Sequence, residues 1–238
     1  MAASRATRQR QSSLSEQEQI AAHKRTAARA AAELVEDGMR VGLGTGSTVA
    51  HLLPALAERA LADLSCVATS PDTERAAREL GLRIVGLDEV EELDVAIDGA
   101  DQIDPSGWLV KGGGAAHTRE KIVALAARRF VVIASAEKAV RELTPPVPLE
   151  LVPFGVLHTL ARIGNARLRD VPESPDGGLI ADYWGPVDEP RTLARRLGCE
   201  TGVVEHGLFA PETVTEILIA GESGVGRRPG GTAESAAG

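Results

Sequence analysis

From about residue 16 to about residue 145, short apolar runs recur, each followed by a loop and then by a helical segment of roughly ten residues. This alternation constrains the fold more than any other feature of the chain. Parallel neighbours in a sheet need a crossover long enough to hold a helix, so the repeat selects a mainly parallel sheet wound with helices on both faces. The periodicity predicts a helix over 16–37 with Ile20, Ala27, Ala31, Leu34 and Val35 on one face, closed by Gly38. Strands follow at 39–43, 65–69, 83–86, 93–97 and 130–134, with helices at 49–62, 72–80 and 115–128.

After Pro145 and Pro146 the grammar changes. The order becomes strand 149–152, helix 156–164, strand 166–171, turn 174–178, strand 179–183, helix 189–197 and strand 201–205. That is βαββαβ, the ferredoxin-like plan. Residues 208–220 read as a return to the first sheet. The expected organisation is an α/β, Rossmann-like domain from 16–145 and 208–220, with a ferredoxin-like small domain inserted at 146–207. Residues 1–15, rich in Arg, Ser and Gln and without an acid, read as a disordered tail, as does the Gly-rich 221–238. The first segment shows neither the amphipathic face of a transit peptide nor an apolar secretion core, so a cytoplasmic location is expected.

Composition excludes several classes. With 34 acidic and 26 basic residues the net charge is -8, which disfavours nucleic acid as a main partner. No apolar run nears the roughly 20 residues that span a membrane. Cys66 and Cys199 stand far apart with no CxxC pair, which argues against a disulfide framework and a structural zinc. Only Lys24, Lys111, Lys121 and Lys138 are lysines among the 26 basic residues. A chain so biased to Arg keeps Lys where a compact ammonium does what a flat guanidinium cannot, or keeps it by chance on solvated faces.

Wound parallel sheets bind ligands beyond the carboxyl ends of their strands, where three loops stand out. The first, GLGTGST, sets Thr45, Gly46, Ser47 and Thr48 at a helix start whose amides suit a phosphate. It fits neither a Walker loop nor GxGxxG, and a plain strand-to-helix turn is its other reading. The second is Asp98-Gly99-Ala100-Asp101, whose paired acids suit hydroxyl proton transfer or a metal, or simply a turn. The third is Lys111-Gly112-Gly113-Gly114 before a helix whose first turns hold Arg119, Glu120 and Lys121. Three consecutive glycines are costly in chain entropy and imply a close approach to the backbone, while Glu120 also fits a helix-dipole partner. Lys121, one residue further along the helix, points to a different face and reads as a structural ion-pair partner whose replacement costs little.

The motifs GLGTGST, SPDTERAAREL, DGADQID, KGGGAAHTREKIV, ASAEKAV, VPLELVPFG and GVVEHGLF, in this order, resemble the type A ribose-5-phosphate isomerases over about residues 16–221. The resemblance implies a wound α/β domain carrying a ferredoxin-like insertion. It implies interconversion of D-ribose 5-phosphate and D-ribulose 5-phosphate through an enediolate, in the non-oxidative branch of the pentose phosphate pathway, with no metal and no organic cofactor. It also implies a homodimer or homotetramer. Glu120 would then be the general base, with Lys111 beside the reacting oxygens and Asp98 and Asp101 on the sugar hydroxyls, Asp98 serving ring opening. The GTGST loop and the residues of DGAD and KGGG would line the substrate, Lys138 of ASAEK would bind it, and Lys24 would reach the phosphate. His117, where the family usually has Leu, and the turn at 175–178 depart from the pattern.

Two other readings share the architecture. A sugar-phosphate-sensing domain of a transcription regulator needs a helix-turn-helix of about 50–60 residues, and only one helix precedes the first strand. Sugar-phosphate deaminases and lactonases lack DGAD and KGGG at this spacing.

Overall fold

The computed structural model describes residues 2–231, with side chains from Ser15 onward. The first part of the chain contains α1 (Ala2–Ala32), β1 (Arg40–Leu43), α2 (Val49–Glu58), β2 (Ser65–Ala68), α3 (Pro71–Glu79) and β3 (Val95–Gly99). It continues through β4 (Gln102–Ile103), β5 (Leu109–Val110), α4 (His117–Leu125) and β6 (Phe130–Ser135). Next come β7 (Val147–Leu151), α5 (Val156–Ile163), β8 (Ala166–Leu168), β9 (Leu179–Tyr183), α6 (Pro190–Gly198) and β10 (Val203–His206). The chain returns through β11 (Leu208–Phe209), β12 (Glu216–Gly221) and β13 (Gly224–Pro229).

The large sheet has the order β13-β12-β6-β3-β1-β2, parallel except for β13. Its central strands are buried on both faces, and alternate residues sort accordingly. Val131 and Ile133 of β6 join Val95 and Ile97 of β3 under α1 and α2. Phe130, Val132 and Ala134 of β6 and Ala96 of β3 point the other way, toward Val123 and Ala124 of α4. Small residues let α1 approach closely, since Ala27, Ala28, Ala31 and Ala32 are all buried against this sheet. After β1 the chain leaves toward β2, whereas β3 leads away toward β6, so the adjacent carboxyl ends of β1 and β3 form the topological switch where ligands bind.

The second sheet has the order β10-β7-β9-β8, antiparallel throughout, which is the ferredoxin-like arrangement of a βαββαβ segment. A third sheet, β11-β5-β4, has no counterpart in the sequence reading. Its strands are two residues long, too short for an alternation to register.

The tails correct the sequence reading. Helix α1 already begins at Ala2, so the segment read as disordered up to residue 15 is helical from there; its Ala, Arg and Gln are strong helix formers and it holds no Gly or Pro. The expected tail at 221–238 contains β13, paired antiparallel with β12 from Gly224 to Pro229; residues 232–238 lie outside the described residues. A main-chain ladder needs no apolar alternation, and Arg228 anchors the strand by donating to the carbonyls of Asp104 and Pro105 at 2.7 and 3.0 Å. The strand expected at 83–86 is reduced to one bridge between Cys66 and Ile84.

Candidate active site

β3 ends in Asp98 and Gly99, and the chain then makes the β4–β5 hairpin before reaching Lys111. The Asp101 amide donates to the Val110 carbonyl at 2.8 Å, and the Lys111 amide to the Gly207 carbonyl at 2.8 Å. The hairpin thus folds Lys111 back onto the end of β3. Its ammonium lies 2.9 Å from Asp98 Oδ2 and 3.1 Å from Glu120 Oε2, and donates to the Gly99 carbonyl at 2.6 Å. All three charged side chains are at most 4% exposed. Glu120 reaches this point because His117, Glu120, Val123 and Ala124 share the buried face of α4.

Two glycines make the approach possible. A Cβ on Gly44 would lie 1.9 Å from Asp98 Cγ, so a side chain there would displace the carboxylate. Gly112 has a φ of +103°, which turns the loop between Lys111 and α4. Asp98 Oδ1 accepts from the amides of Thr45 and Gly99 at 3.1 and 2.7 Å, while Asp101 Oδ2 accepts from the Gly113 amide at 2.8 Å.

Three charges in so dry a place shift one another. Burial raises the Asp98 carboxyl, partly offset by Lys111 and the two amides. Burial, with the Asp98 charge adding and Lys111 opposing, pushes the Glu120 carboxyl up to about 8. Burial alone would favour a neutral Lys111, but Asp98 and Glu120 outweigh it and hold the ammonium firmly charged. The result is one fixed cation between two carboxyl groups, one of them poised near neutrality, a combination suited to moving a proton at a carbon beside an oxyanion.

Thr45, Gly46, Ser47, Thr48, Gly99, Ala100, Asp101, Lys111, Gly112, Gly113, Gly114, Glu120 and Lys138 line one pocket of about 80 Å³ at this point. Asp98 lies just behind its wall. Lys24 Nζ donates to Ser47 Oγ at 2.9 Å, which brings α1 to the rim. Thr48 provides no side-chain cap to α2; the Ala50 and His51 amides of its first turn are taken by the Gly46 and Thr48 carbonyls at 3.0 and 3.1 Å, and Ser47 and Thr48 border the pocket.

A family model described as Ribose 5-phosphate isomerase A (phosphoriboisomerase A) matches residues 65–224. The chain belongs to this family. It is an isomerase of ribose 5-phosphate and ribulose 5-phosphate. A ribose-5-phosphate isomerase A of Caulobacter vibrioides is 47% identical over 219 residues, covering 86% of this chain and 96% of the relative. The crystal structure of ribose 5 phosphate isomerase A from Neisseria gonorrhoeae superposes with a TM-score of 0.85 at 32% identity, covering 90% of this chain and 98% of that one. A D-ribose-5-phosphate isomerase solved in complex with phospho-erythronic acid superposes with a TM-score of 0.83 at 33% identity, covering 88% and 99%.

Sequence reasoning missed several partners of this isomerase site. Thr69 Oγ1 lies 2.8 Å from Thr45 Oγ1, and Thr73 Oγ1 donates to the Gly44 carbonyl at 2.9 Å, so Thr69 and the SPDTERAAREL segment after it brace the first loop. Lys121 is the ion-pair partner that the sequence suggests, but not an outlying one. It is mostly buried, donating to Glu205 Oε1 and the His206 carbonyl at 2.7 Å each, with the Phe209 ring 4.8 Å away. The EHGLF motif was the available signal, but nothing in its spacing names Lys121 as its partner. Among the described residues no cluster of three or more His, Cys, Asp or Glu is arranged to hold a metal, and no helix is long and apolar enough to cross a membrane.

Proposed function

We propose that Glu120 is the base that carries the proton between carbon 2 and carbon 1 of the open-chain sugar. Lys111 stabilises the oxyanion of the enediolate, and its fixed charge needs no reorganisation as that charge develops. Asp98, held by Lys111 and two amides, exchanges protons with the ring oxygen and the carbon 1 hydroxyl during opening, and Asp101 holds hydroxyls. The phosphate sits before the start of α2 beside Lys24 and Ser47, where the helix dipole and an ammonium both favour an anion. Lys138, which lines the same pocket, contacts the substrate as well. Binding energy from the phosphate orients carbons 1 and 2 against Glu120.

The observation that carries this reading is the buried Asp98–Lys111–Glu120 cluster at the β1/β3 switch, facing a pocket lined by polar loops. The phospho-erythronic acid bound to a relative supports it, since a carboxylate beside a phosphorylated chain has the planar, anionic shape of an enediolate. Steady-state kinetics on ribose 5-phosphate test it. Asp98→Asn, Lys111→Ala and Glu120→Gln should each collapse turnover, whereas Lys24→Ala should chiefly raise KM. Parent turnover in any of the first three would remove that residue from the mechanism.

We further infer a cytoplasmic protein and a homodimer or homotetramer. Phe154 and Leu157, 93% and 74% exposed, stand three residues apart at the start of α5, and exposed Ile122 and Leu125 of α4 add to the apolar surface that self-association would cover.

A further inference from the structure

Three consecutive glycines carry no side chains to fix their peptide planes, yet Gly112, Gly113 and Gly114 line the pocket. The Ala115 amide closes a turn on the Gly112 carbonyl at 3.1 Å, and the remaining orientation comes from groups outside the loop. The structure offers one such group from the small domain. Arg169, directly after β8, donates through Nη1 to the carbonyls of Gly112 and Gly113 at 3.0 and 3.2 Å. The rest of its guanidinium is occupied by Asp182 of β9, with Nε to Oδ2 at 3.0 Å and Nη2 to Oδ1 at 2.5 Å. Both side chains are largely shielded, at 19% and 13% exposure. A two-pronged pairing of this kind fixes the plane of the guanidinium as well as its position.

The consequence follows from peptide geometry. In a trans peptide the carbonyl and the next residue's amide point in opposite directions. In the peptide joining Gly112 to Gly113, the carbonyl meets Arg169 and the amide meets Asp101 Oδ2 at 2.8 Å, so one plane is clamped at both ends. In the next peptide the Gly113 carbonyl again meets Arg169, which turns the Gly114 amide away from that guanidinium, and Gly114 itself lines the pocket. The cation also polarises both peptide units, strengthening their amides as donors.

We infer that Arg169, oriented by Asp182, is a positioning residue of the isomerase: it sets the Gly112–Gly114 backbone so that the Gly114 amide is aimed at the reacting oxygens. The inference rests on the placement of the chemistry in this pocket, as proposed above. A preorganised donor contributes most where charge develops, and losing the aim of one costs on the order of 10²-fold in turnover. Binding of the distant phosphate does not depend on it.

The experiment compares parent, Arg169→Met, Arg169→Lys, Asp182→Asn and Glu120→Gln, using kcat and KM on ribose 5-phosphate, inhibition by phospho-erythronic acid and by inorganic phosphate, and thermal melting. Arg169→Met should lower kcat about 10- to 100-fold with KM within about threefold. It should weaken phospho-erythronic acid by a similar factor and leave inorganic phosphate unchanged. Arg169→Lys, which keeps a charge beside Asp182 without a planar fork, should fall between, as should Asp182→Asn. A lower melting temperature with parent kcat, a change confined to KM, or equal weakening of both inhibitors would overturn the inference. Should Arg169→Met fail to fold, Arg169→Lys decides: reduced kcat at parent melting temperature supports the inference and parent kcat refutes it. Glu120→Gln separates the two levels. If it remains active, the placement of the chemistry fails; if it is inert while the Arg169 variants match the parent, only the positioning role fails.

Discussion

Replacing Glu120 by Gln should remove activity and, above neutral pH, stabilise the protein. Gln keeps the shape of the side chain but cannot ionise. The parent carboxyl titrates at about 8 in the fold and near 4.5 in the unfolded chain. Between those values the folded protein binds the proton and the unfolded chain has released it, so stability falls as pH rises through this window and levels off above it. At about 1.4 kcal/mol per pH unit the gap corresponds to roughly 5 kcal/mol. Urea melts of parent and variant at pH 5, 7 and 9 test this. The two should coincide within about 0.5 kcal/mol at pH 5 and diverge toward pH 9, where the variant, lacking the buried carboxylate, has the higher midpoint. Turnover should drop about 100-fold or more. A stability difference that is flat or shrinks with pH would refute the argument from burial. A variant with at least half the parent turnover would refute the base.

Other perturbations follow from the same geometry. Because the ionised form of Glu120 is the base, kcat/KM of the parent should rise from pH 6 to 9 with a midpoint near 8, and a profile flat over that range would contradict the role. Lys111→Arg should lower kcat more than it raises KM, since a planar guanidinium cannot sit between two carboxylates and the Gly99 carbonyl as an ammonium does; unchanged kcat would refute this. Lys121→Met should destabilise by about 2–3 kcal/mol in a denaturant melt, because it leaves Glu205 partly buried without its cation, and a parent-like midpoint would show the pair to be dispensable. Burial holds His117 down at about 3 against 6.5 unfolded, so its contribution is present above pH 6.5 and is lost as pH falls toward 3. His117→Leu should therefore flatten the acid limb of a stability profile, and an unchanged limb would show that other groups govern it.

Much of this molecule is written locally. Strands such as Phe130–Ser135 and helices such as Pro71–Glu79 follow from apolar period and capping, Ser70 accepting from the Thr73 amide at 3.2 Å. The order of elements alone separates a parallel wound sheet from a ferredoxin-like segment, because chain connectivity restricts which strands can pair. Glycines before helices and acids at strand ends mark the loops where chemistry belongs, since close backbone approach leaves a visible residue choice. What the pattern cannot carry is contact between groups far apart in the chain. The β13 strand is held by a main-chain ladder and by Arg228, neither of which needs an apolar signature. That Lys121 is buried against Glu205, and that Arg169 holds the carbonyls of Gly112 and Gly113, depends on how the small domain seats on α4 and the glycine loop. The same is true of the shift at Glu120, which arises only when folding brings Asp98, Lys111 and Glu120 together out of water. Sequence determined which residues were available for the chemistry; tertiary structure decided their protonation and aim, because both depend on distances and burial that exist only once the chain has closed on itself.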